Sequence, residues 1–176
     1  MHMHHTDLQS EHQAVIEEIH AAFADVSREG GVSWSEAEVR DRCGTDEERA
    51  AARAKDIDRH WSDLIDNSEW QDTGIGGFSF LDPIAIRYYL PAAMIRTMND
   101  DWNGDLTFRL TIPANPSNPR HHLRRGNFAL GSLSLLDDRQ CRCIARFIKY
   151  MIARDETASD FESEWRNVYE SYWHLI

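Results

Sequence analysis

Cysteine is scarce in this chain, and its few occurrences follow no disulfide or metal-binding pattern. The three are Cys43, Cys141 and Cys143. An odd number gives no even disulfide framework, and the spacing fits neither a disulfide scaffold nor a zinc ribbon. The sequence therefore favours a reducing compartment and predicts no metal site.

Long hydrophobic runs are also absent. No stretch approaches the roughly 18 apolar residues of a membrane span, and the start, MHMHHTD, lacks a basic region followed by an apolar run. We expect a cytoplasmic protein with no membrane association. Residues 1–8 are expected to form a disordered tail.

Positive charge is in short supply, and lysine especially so. Acidic residues number 30 against 19 basic ones, a net charge of −11, and the lysines are Lys55 and Lys149. The charge is −11 over residues 1–72, +5 over 73–154 and −5 over 155–176. Part of this pattern serves internal ion pairing, for which arginine is well suited. The remaining negative excess argues against nucleic acid as a partner and favours a basic protein.

Catalytic signatures are missing as well. The glycine run at 74–77 lacks the Lys-Ser/Thr pair of a phosphate loop. No serine lies in a nucleophile elbow, and no His-Cys spacing indicates a triad. We therefore predict no catalytic residue, no metal and no cofactor, and enzymatic activity is not favoured.

An almost wholly apolar helix is the strongest positive signal. Asp82 can accept hydrogen bonds from the first free N–H groups of a helix, and Pro83 suits its first position. From there to Met98 few polar residues interrupt the apolar ones. This helix is predicted to be buried on nearly all sides.

The same region carries a family resemblance. The string FSFLDPIAIRYYLPAAM, residues 78–94, resembles the hallmark of a family of uncharacterised bacterial soluble proteins with an FxFLxPxxxRYYLPA core. Ile86 stands where that pattern allows an aromatic residue. Further matches lie on both sides: Ala22-Phe23, Ser33-Trp34, Glu36-Ala37, Asp41, Glu48-Arg49, Ala52-Arg53, Asp56, Trp61, Leu135-Leu136, Gln140 and residues 147–151. The resemblance implies a single small domain of unknown function and supplies no site residues.

Other segments show helical spacing. The first covers residues 9–28. A short second helix is capped by Ser33 with Glu36, and a third is capped by Thr45 with Glu48 and continues to Leu64. Another covers residues 138–154, and the last begins near Ser159, with Glu162 completing its capping box. In the third helix Ile57, Trp61 and Leu64 share one predicted buried face. The prediction is a mainly α fold (α+β) of about five to six helices, in a single domain over residues 1–176.

A small β-hairpin is predicted on this helical body. Apolar residues alternate with polar ones from Leu106 to Ile112, which is the period of a half-buried strand. A weaker partner strand lies at 128–135, after a proline-rich loop.

Two helix starts resemble each other. Asp82 with Arg87 and Asp137 with Arg142 occur in similar strings, and both aspartates are predicted helix caps. The similarity is either an internal repeat or a recurring way to start a helix.

Arg87 is the first candidate site residue, because a guanidinium on an apolar helix needs a partner. One interpretation is an internal ion pair with a carboxylate from the acidic N-terminal third. The other is an anion-binding arginine flanked by the hydroxyls of Tyr88 and Tyr89, with His60 as a proton-transfer group. Asp56, His60 and Asp63 would share a helix face, either as a site or as a solvated acidic surface.

Two functions from different classes follow. The first is a non-enzymatic protein-binding module for a basic partner, inhibitor-like or immunity-like, which uses an acidic surface and the aromatic-rich C-terminal helix. The alternative is a small-molecule anion-binding protein or enzyme that uses Arg87, Tyr88, Tyr89 and His60. The basic stretch Arg120–Arg125 is either an exposed loop or a patch for an acidic partner. No oligomeric state is predicted.

Overall fold

The computed structural model describes residues 5–112, 131–158 and 162–176. In these ranges the chain forms helices and short 3₁₀ turns, and no strand. The helices are α1 (His5–Ala22), α2 (Trp34–Asp41), α3 (Asp46–Arg53), α4 (Pro83–Met98), α5 (Leu106–Leu110), α6 (Asp138–Ala158) and α7 (Trp165–Ser171). The 3₁₀ turns are Trp61–Leu64, Gly77–Ser79, Gly131–Leu133 and Trp173–Leu175. The prediction of a mainly α fold is confirmed.

The chain divides into two compact units. The first contains the described residues of 5–22, 105–112, 136–158 and 162–176, and the second contains 23–104 and 131–135. Each unit combines segments that are distant in sequence. The single domain over 1–176 stays a prediction, and α1 already begins at His5, inside the segment predicted as a tail.

The first unit is built on α6, which packs against α1 and α7. Its start is the predicted cap, since Asp137 Oδ1 accepts a hydrogen bond of 2.8 Å from the backbone N–H of Gln140. The C-terminal aromatic residues Trp165, Tyr172 and Trp173 are buried, and the Trp173 indole donates to the Leu110 carbonyl at 2.7 Å. These rings form core, so they supply little of the binding surface that the sequence favoured.

The predicted hairpin is wrong for the described residues. Leu106–Leu110 is helix α5, and Asp105 caps it by accepting from the N–H of Phe108 at 3.1 Å. Leu106 and Leu110 lie one turn apart and are buried, whereas Phe108 is 70% exposed. Over so short a stretch, residues spaced by four satisfy a strand period and a helix period alike, and the cap decides for the helix.

Several predictions fall on segments outside the described residues. They are the helix start at Ser159, the aromatic Phe161, the basic stretch Arg120–Arg125 and the first part of the second strand.

The second unit is built on α4, whose burial matches the prediction. Its aliphatic and aromatic residues from Ala85 to Ile95 are buried, and the helix continues through Pro91. Asp82 caps it as predicted, because Oδ1 accepts from the N–H of Ala85 at 2.9 Å. The second oxygen, Oδ2, accepts from the N–H of Val32 at 3.3 Å. One carboxylate therefore both starts the helix and holds the segment that precedes α2.

Replacing Asp82 by alanine should reduce the free energy of unfolding by about 1–2 kcal/mol, because two backbone N–H groups lose their acceptor. Urea denaturation followed by circular dichroism measures the loss. Asp82→Asn keeps an acceptor oxygen and is the matched control. An equal loss in both variants would show that charge, not capping, explains the effect.

Helices α2 and α3 begin with the predicted capping boxes, formed by Ser33 with Glu36 and by Thr45 with Glu48. The predicted length of the third helix is wrong, since α3 ends at Arg53. The next residues leave the helix, and the carboxylates of Asp56 and Asp58 bond to other segments. Aspartate disfavours helix interiors because such bonds compete with helical ones.

The new turn Trp61–Leu64 packs against α4 and carries part of the predicted buried face. Trp61 and Leu64 are buried as expected, but Ile57 is 86% exposed. The helical spacing therefore predicted burial correctly for the two residues within the 3₁₀ turn and wrongly for Ile57, which lies before it.

Candidate functional site

Tyr88 and Tyr89 pack edge to face with ring centres 5.0 Å apart, but their hydroxyls and Arg87 do not share a partner in the described part of the chain. Successive helix residues point about 100° apart, and the two hydroxyls bond in different places. The Tyr88 hydroxyl donates to Asp58 Oδ2 at 2.6 Å, and the Tyr89 hydroxyl accepts from the N–H of Trp34 at 2.9 Å. Burial, followed by the hydrogen bond to Asp58, raises the pKa of Tyr88, and burial followed by the charge of Asp58 raises that of Tyr89. Both phenols are therefore neutral hydrogen-bonding groups.

Arg87 has no carboxylate partner among the described residues. Its side chain is half-buried, and its Nε is covered without a hydrogen-bond acceptor. The predicted ion pair with the acidic N-terminal third is therefore not seen in this part of the chain.

The buried arginine of α4 is instead Arg96, which is 1% exposed. It binds Asp101 Oδ2 through Nε at 2.9 Å and Nη2 at 2.8 Å, and Nη1 donates to the carbonyls of Asn67, at 3.0 Å, and Trp70. Its guanidinium carbon lies 5.7 Å from the ring centres of Trp70 and of Trp102. Asp101, which lies shortly after the end of α4, was the sequence signal for the Arg96–Asp101 pair, and sequence reasoning missed it.

Asp56, His60 and Asp63 do not form the predicted helix face. Asp56 accepts from the N–H and hydroxyl of Ser35 at 2.8 and 2.6 Å. Asp63 accepts from the backbone N–H groups of His60 and Arg59, which lower its pKa. Each carboxylate therefore holds a different loop.

His60 is a structural cap in this arrangement. Its Nδ1 contacts Ser62, accepting from the backbone N–H at 3.2 Å, and its Nε2 lies 3.0 Å from the Ala24 carbonyl. These contacts place the proton on Nε2. Both ring nitrogens therefore have partners within the fold, and the proton-transfer role of His60 stays a prediction.

An open cleft of about 630 Å³ lies in the second unit, and we call it the acidic cleft. Six carboxylates line it against one lysine, Lys55. The carboxylates are Glu38, Asp56, Asp58, Asp63, Asp66 and Glu69. Such an excess of one sign lowers the free energy of a bound cation and raises that of an anion.

Three of these carboxylates are free to meet a ligand. Glu38, Asp66 and Glu69 are exposed, and no other described residue bonds to their side chains. Sequence reasoning missed all three, although they belong to the acidic N-terminal third that it singled out.

The apolar part of the cleft is an aromatic cluster. Trp34, Trp70 and Tyr89 line it, with ring centres 5.1 Å apart for the two tryptophans and 5.2 Å for Trp34 and Tyr89. The rings are nearly buried against one another. Ile57, the residue expected in the core, is an exposed apolar side chain of the same cleft.

A second cleft, of about 490 Å³, is lined by three arginines that are already ion-paired within the fold. Arg40 and Arg53 bind the buried Glu36, and Arg49 binds Asp46. Burial raises the pKa of Glu36, but the hydrogen bonds from Arg53, the Ser33 N–H and Arg40 outweigh it and leave the pKa lowered. The charges here are largely neutralised within the fold.

Neither a metal cluster nor a membrane-spanning helix is found in the described ranges. No three histidine, cysteine, aspartate or glutamate side chains there converge to hold an ion. None of the described helices is both long and apolar enough to cross a bilayer.

Comparison with known proteins identifies the family. A family of unknown function, DUF6714, matches residues 11–176, which is nearly the whole chain. The chain belongs to this family. No curated protein and no solved structure matches it. The family match confirms the expected domain of unknown function for this DUF6714 protein.

Proposed function

We propose that this protein is a non-enzymatic binding module that takes a basic segment of a partner protein into its acidic cleft. The observation that carries the proposal is the set of six carboxylates against one lysine around a cleft of about 630 Å³. A neutralising protein for a basic effector, inhibitor-like or immunity-like, is one concrete form. Cytoplasmic location belongs to the same proposal.

Charge complementarity at such a cleft accelerates association and selects partners. The side chains of Glu38, Asp66 and Glu69 have no internal bond to break, so a cationic partner gains their full attraction. The buried aromatic rings of Trp34, Trp70 and Tyr89 line the same cleft. Exposed Ile57 adds an apolar contact beside the charges.

Removing the three free charges should weaken binding of a basic peptide by about tenfold, since exposed ion pairs contribute a few tenths to one kcal/mol each. The variant is Glu38→Gln, Asp66→Asn, Glu69→Gln, and the probe is a capped nonapeptide of alternating arginine and alanine. Calorimetric titration at low salt measures the dissociation constant. Binding should weaken further as salt rises, because the Debye length shortens.

The matched control removes three exposed charges outside the acidic cleft: Asp25→Asn, Glu164→Gln and Glu170→Gln. We expect this variant to bind within about twofold of the parent, since none of these three residues lines the cleft. Equal weakening in both variants would show a general charge effect. A peptide with citrulline in place of arginine should not bind the parent.

The alternative, an anion-binding protein or enzyme, is supported by one observation: the half-buried guanidinium of Arg87 has no partner among the described residues. The adjacent geometry favours it less, because the Tyr88 hydroxyl is held by a carboxylate and the Tyr89 hydroxyl by a backbone N–H. Stabilisation of the parent, but not of Arg87→Met, by inorganic phosphate would favour this alternative.

A further inference from the structure

Two residues that line the acidic cleft each have a buried polar atom that no described residue satisfies. The two atoms are the indole Nε1 of Trp70, a donor, and the amide Oε1 of Gln71, an acceptor. Trp70 is 5% exposed, so its N–H is buried. Buried polar atoms without partners cost free energy and are rare enough in folded proteins to need an explanation.

The two atoms need different partners: the Trp70 N–H needs an acceptor, and the Gln71 oxygen needs a donor. A bare cation can be ligated by the Gln71 oxygen but offers no acceptor to the Trp70 N–H, and the described carboxylates do not converge on such an ion. A polyamine offers donors, which suit Gln71 and the carboxylates, but has no acceptor for the Trp70 N–H. A peptide main chain offers both a carbonyl and an N–H.

We propose that the acidic cleft recognises its basic ligand as an extended peptide, through main-chain hydrogen bonds as well as through charge. A peptide carbonyl accepts from Trp70 Nε1, and a peptide N–H donates to Gln71 Oε1. The cationic side chains of the peptide meet Glu38, Asp66 and Glu69. The inference rests on the proposed function and names its partner class.

An extended segment fits better than a helical one. In a helix the main-chain groups are already bonded within the segment, whereas an extended chain presents them to a receptor. Alternate side chains of an extended segment then point towards the cleft, where Ile57 and the carboxylates lie.

Gln71 has the freedom that this binding requires. Its Nε2 donates to the Asp101 carbonyl at 3.4 Å, which is long for a hydrogen bond, so little is lost when the amide turns. Both polar atoms are covered by protein atoms. We therefore expect side-chain movement on binding, as is common at interfaces with a fixed backbone.

The ligand itself provides the cleanest test, because the protein stays unchanged. Each amide of the alternating arginine–alanine nonapeptide is replaced in turn by an ester, which removes the N–H and weakens the carbonyl. One or two positions should lose affinity about three- to tenfold, the range of a single hydrogen bond, and this loss should not change with salt. Spermine should bind at least about tenfold more weakly than the peptide.

A matched pair of protein variants gives a second readout. Trp70→Phe and Trp102→Phe remove the same N–H group, and both indole nitrogens lack a partner among the described residues, but Trp102 does not line the cleft. Trp70→Phe should weaken binding of the peptide about three- to tenfold and leave binding of spermine unchanged. Trp102→Phe should change the affinity for neither probe. Gln71→Met repeats the test if Trp70→Phe unfolds.

The outcomes separate this inference from the proposed function. Main-chain recognition is overturned if no ester position loses affinity and if peptide and spermine bind equally. If both probes then depend on the three free carboxylates, the cleft binds cations without reading the peptide main chain. If neither probe binds in a charge-dependent way, the proposed function fails as well.

Discussion

Replacing Arg96 by methionine should lower the free energy of unfolding by roughly 2–5 kcal/mol. The carbonyls of Asn67 and Trp70 lose their shared donor, and the guanidinium is removed from between two indole rings. Asp101 adds less, since its side chain is 56% exposed and can return to water. The expected loss comes mainly from the buried carbonyls.

Arg87→Met is the control for this substitution, because it changes the same residue type on the same helix. Arg87 has no hydrogen bond or ion pair among the described residues, so its replacement should leave stability unchanged or slightly raised. Far-ultraviolet circular dichroism in urea is the appropriate probe, since Arg96 contacts tryptophans and would alter fluorescence directly. Equal losses in both variants would contradict the assignment of Arg96 as the structural arginine.

Replacing Trp61 by alanine should cost roughly 3–5 kcal/mol, the range for deleting a large buried side chain. Trp61 is fully buried, and its indole donates to the Phe23 carbonyl at 2.8 Å. The variant therefore leaves both a cavity and a carbonyl without its donor. At this chain length each kcal/mol corresponds to about 2–4 °C in melting temperature.

Ile57→Ala is the matched control, because the sequence placed both residues on one buried face. With Ile57 86% exposed, its change should stay within about 0.5 kcal/mol. Trp61→Phe separates the two parts of the effect by keeping a ring while removing the donor. A small loss for Trp61→Ala would mean that the turn Trp61–Leu64 contributes little to the second unit.

The helix starts show what sequence predicts well in this protein. Asp82, Asp137, Ser33 and Thr45 all cap the helices expected of them. Capping depends on a side chain and the N–H groups of the next turn, so its whole cause lies within a few residues.

The helix ends and the short apolar stretches were predicted less well. The spacing of Ile57, Trp61 and Leu64 predicted one helix, but Asp56 and Asp58 bond to Ser35 and Tyr88, which are distant in sequence. At Leu106–Leu110 the apolar pattern fitted two periods, and a cap one residue earlier decided between them. Local patterns do not report which distant groups will compete for a side chain.

The candidate site shows the same division. The acidic N-terminal third was visible as a charge excess, but the sequence did not show that Glu38, Asp66 and Glu69 would line one cleft without internal partners. The sequence also singled out Arg87 and not Arg96. Both interrupt the same apolar helix, so the pattern alone could not distinguish them. Which of the two meets carbonyls and aromatic rings depends on the loop that carries Asn67 and Trp70.

The sequence by itself determined the mainly helical class, the family, the helix caps and the apolar helix α4, because these follow from composition and from contacts within a few residues. Only the tertiary structure decided which charges remain unpaired. A carboxylate becomes a cap, an ion-pair partner or a free ligand group according to the donors that folding brings near it. Asp58 and Glu69 are both acids of the same third of the chain, yet one is held by Tyr88 and the other is open to a partner.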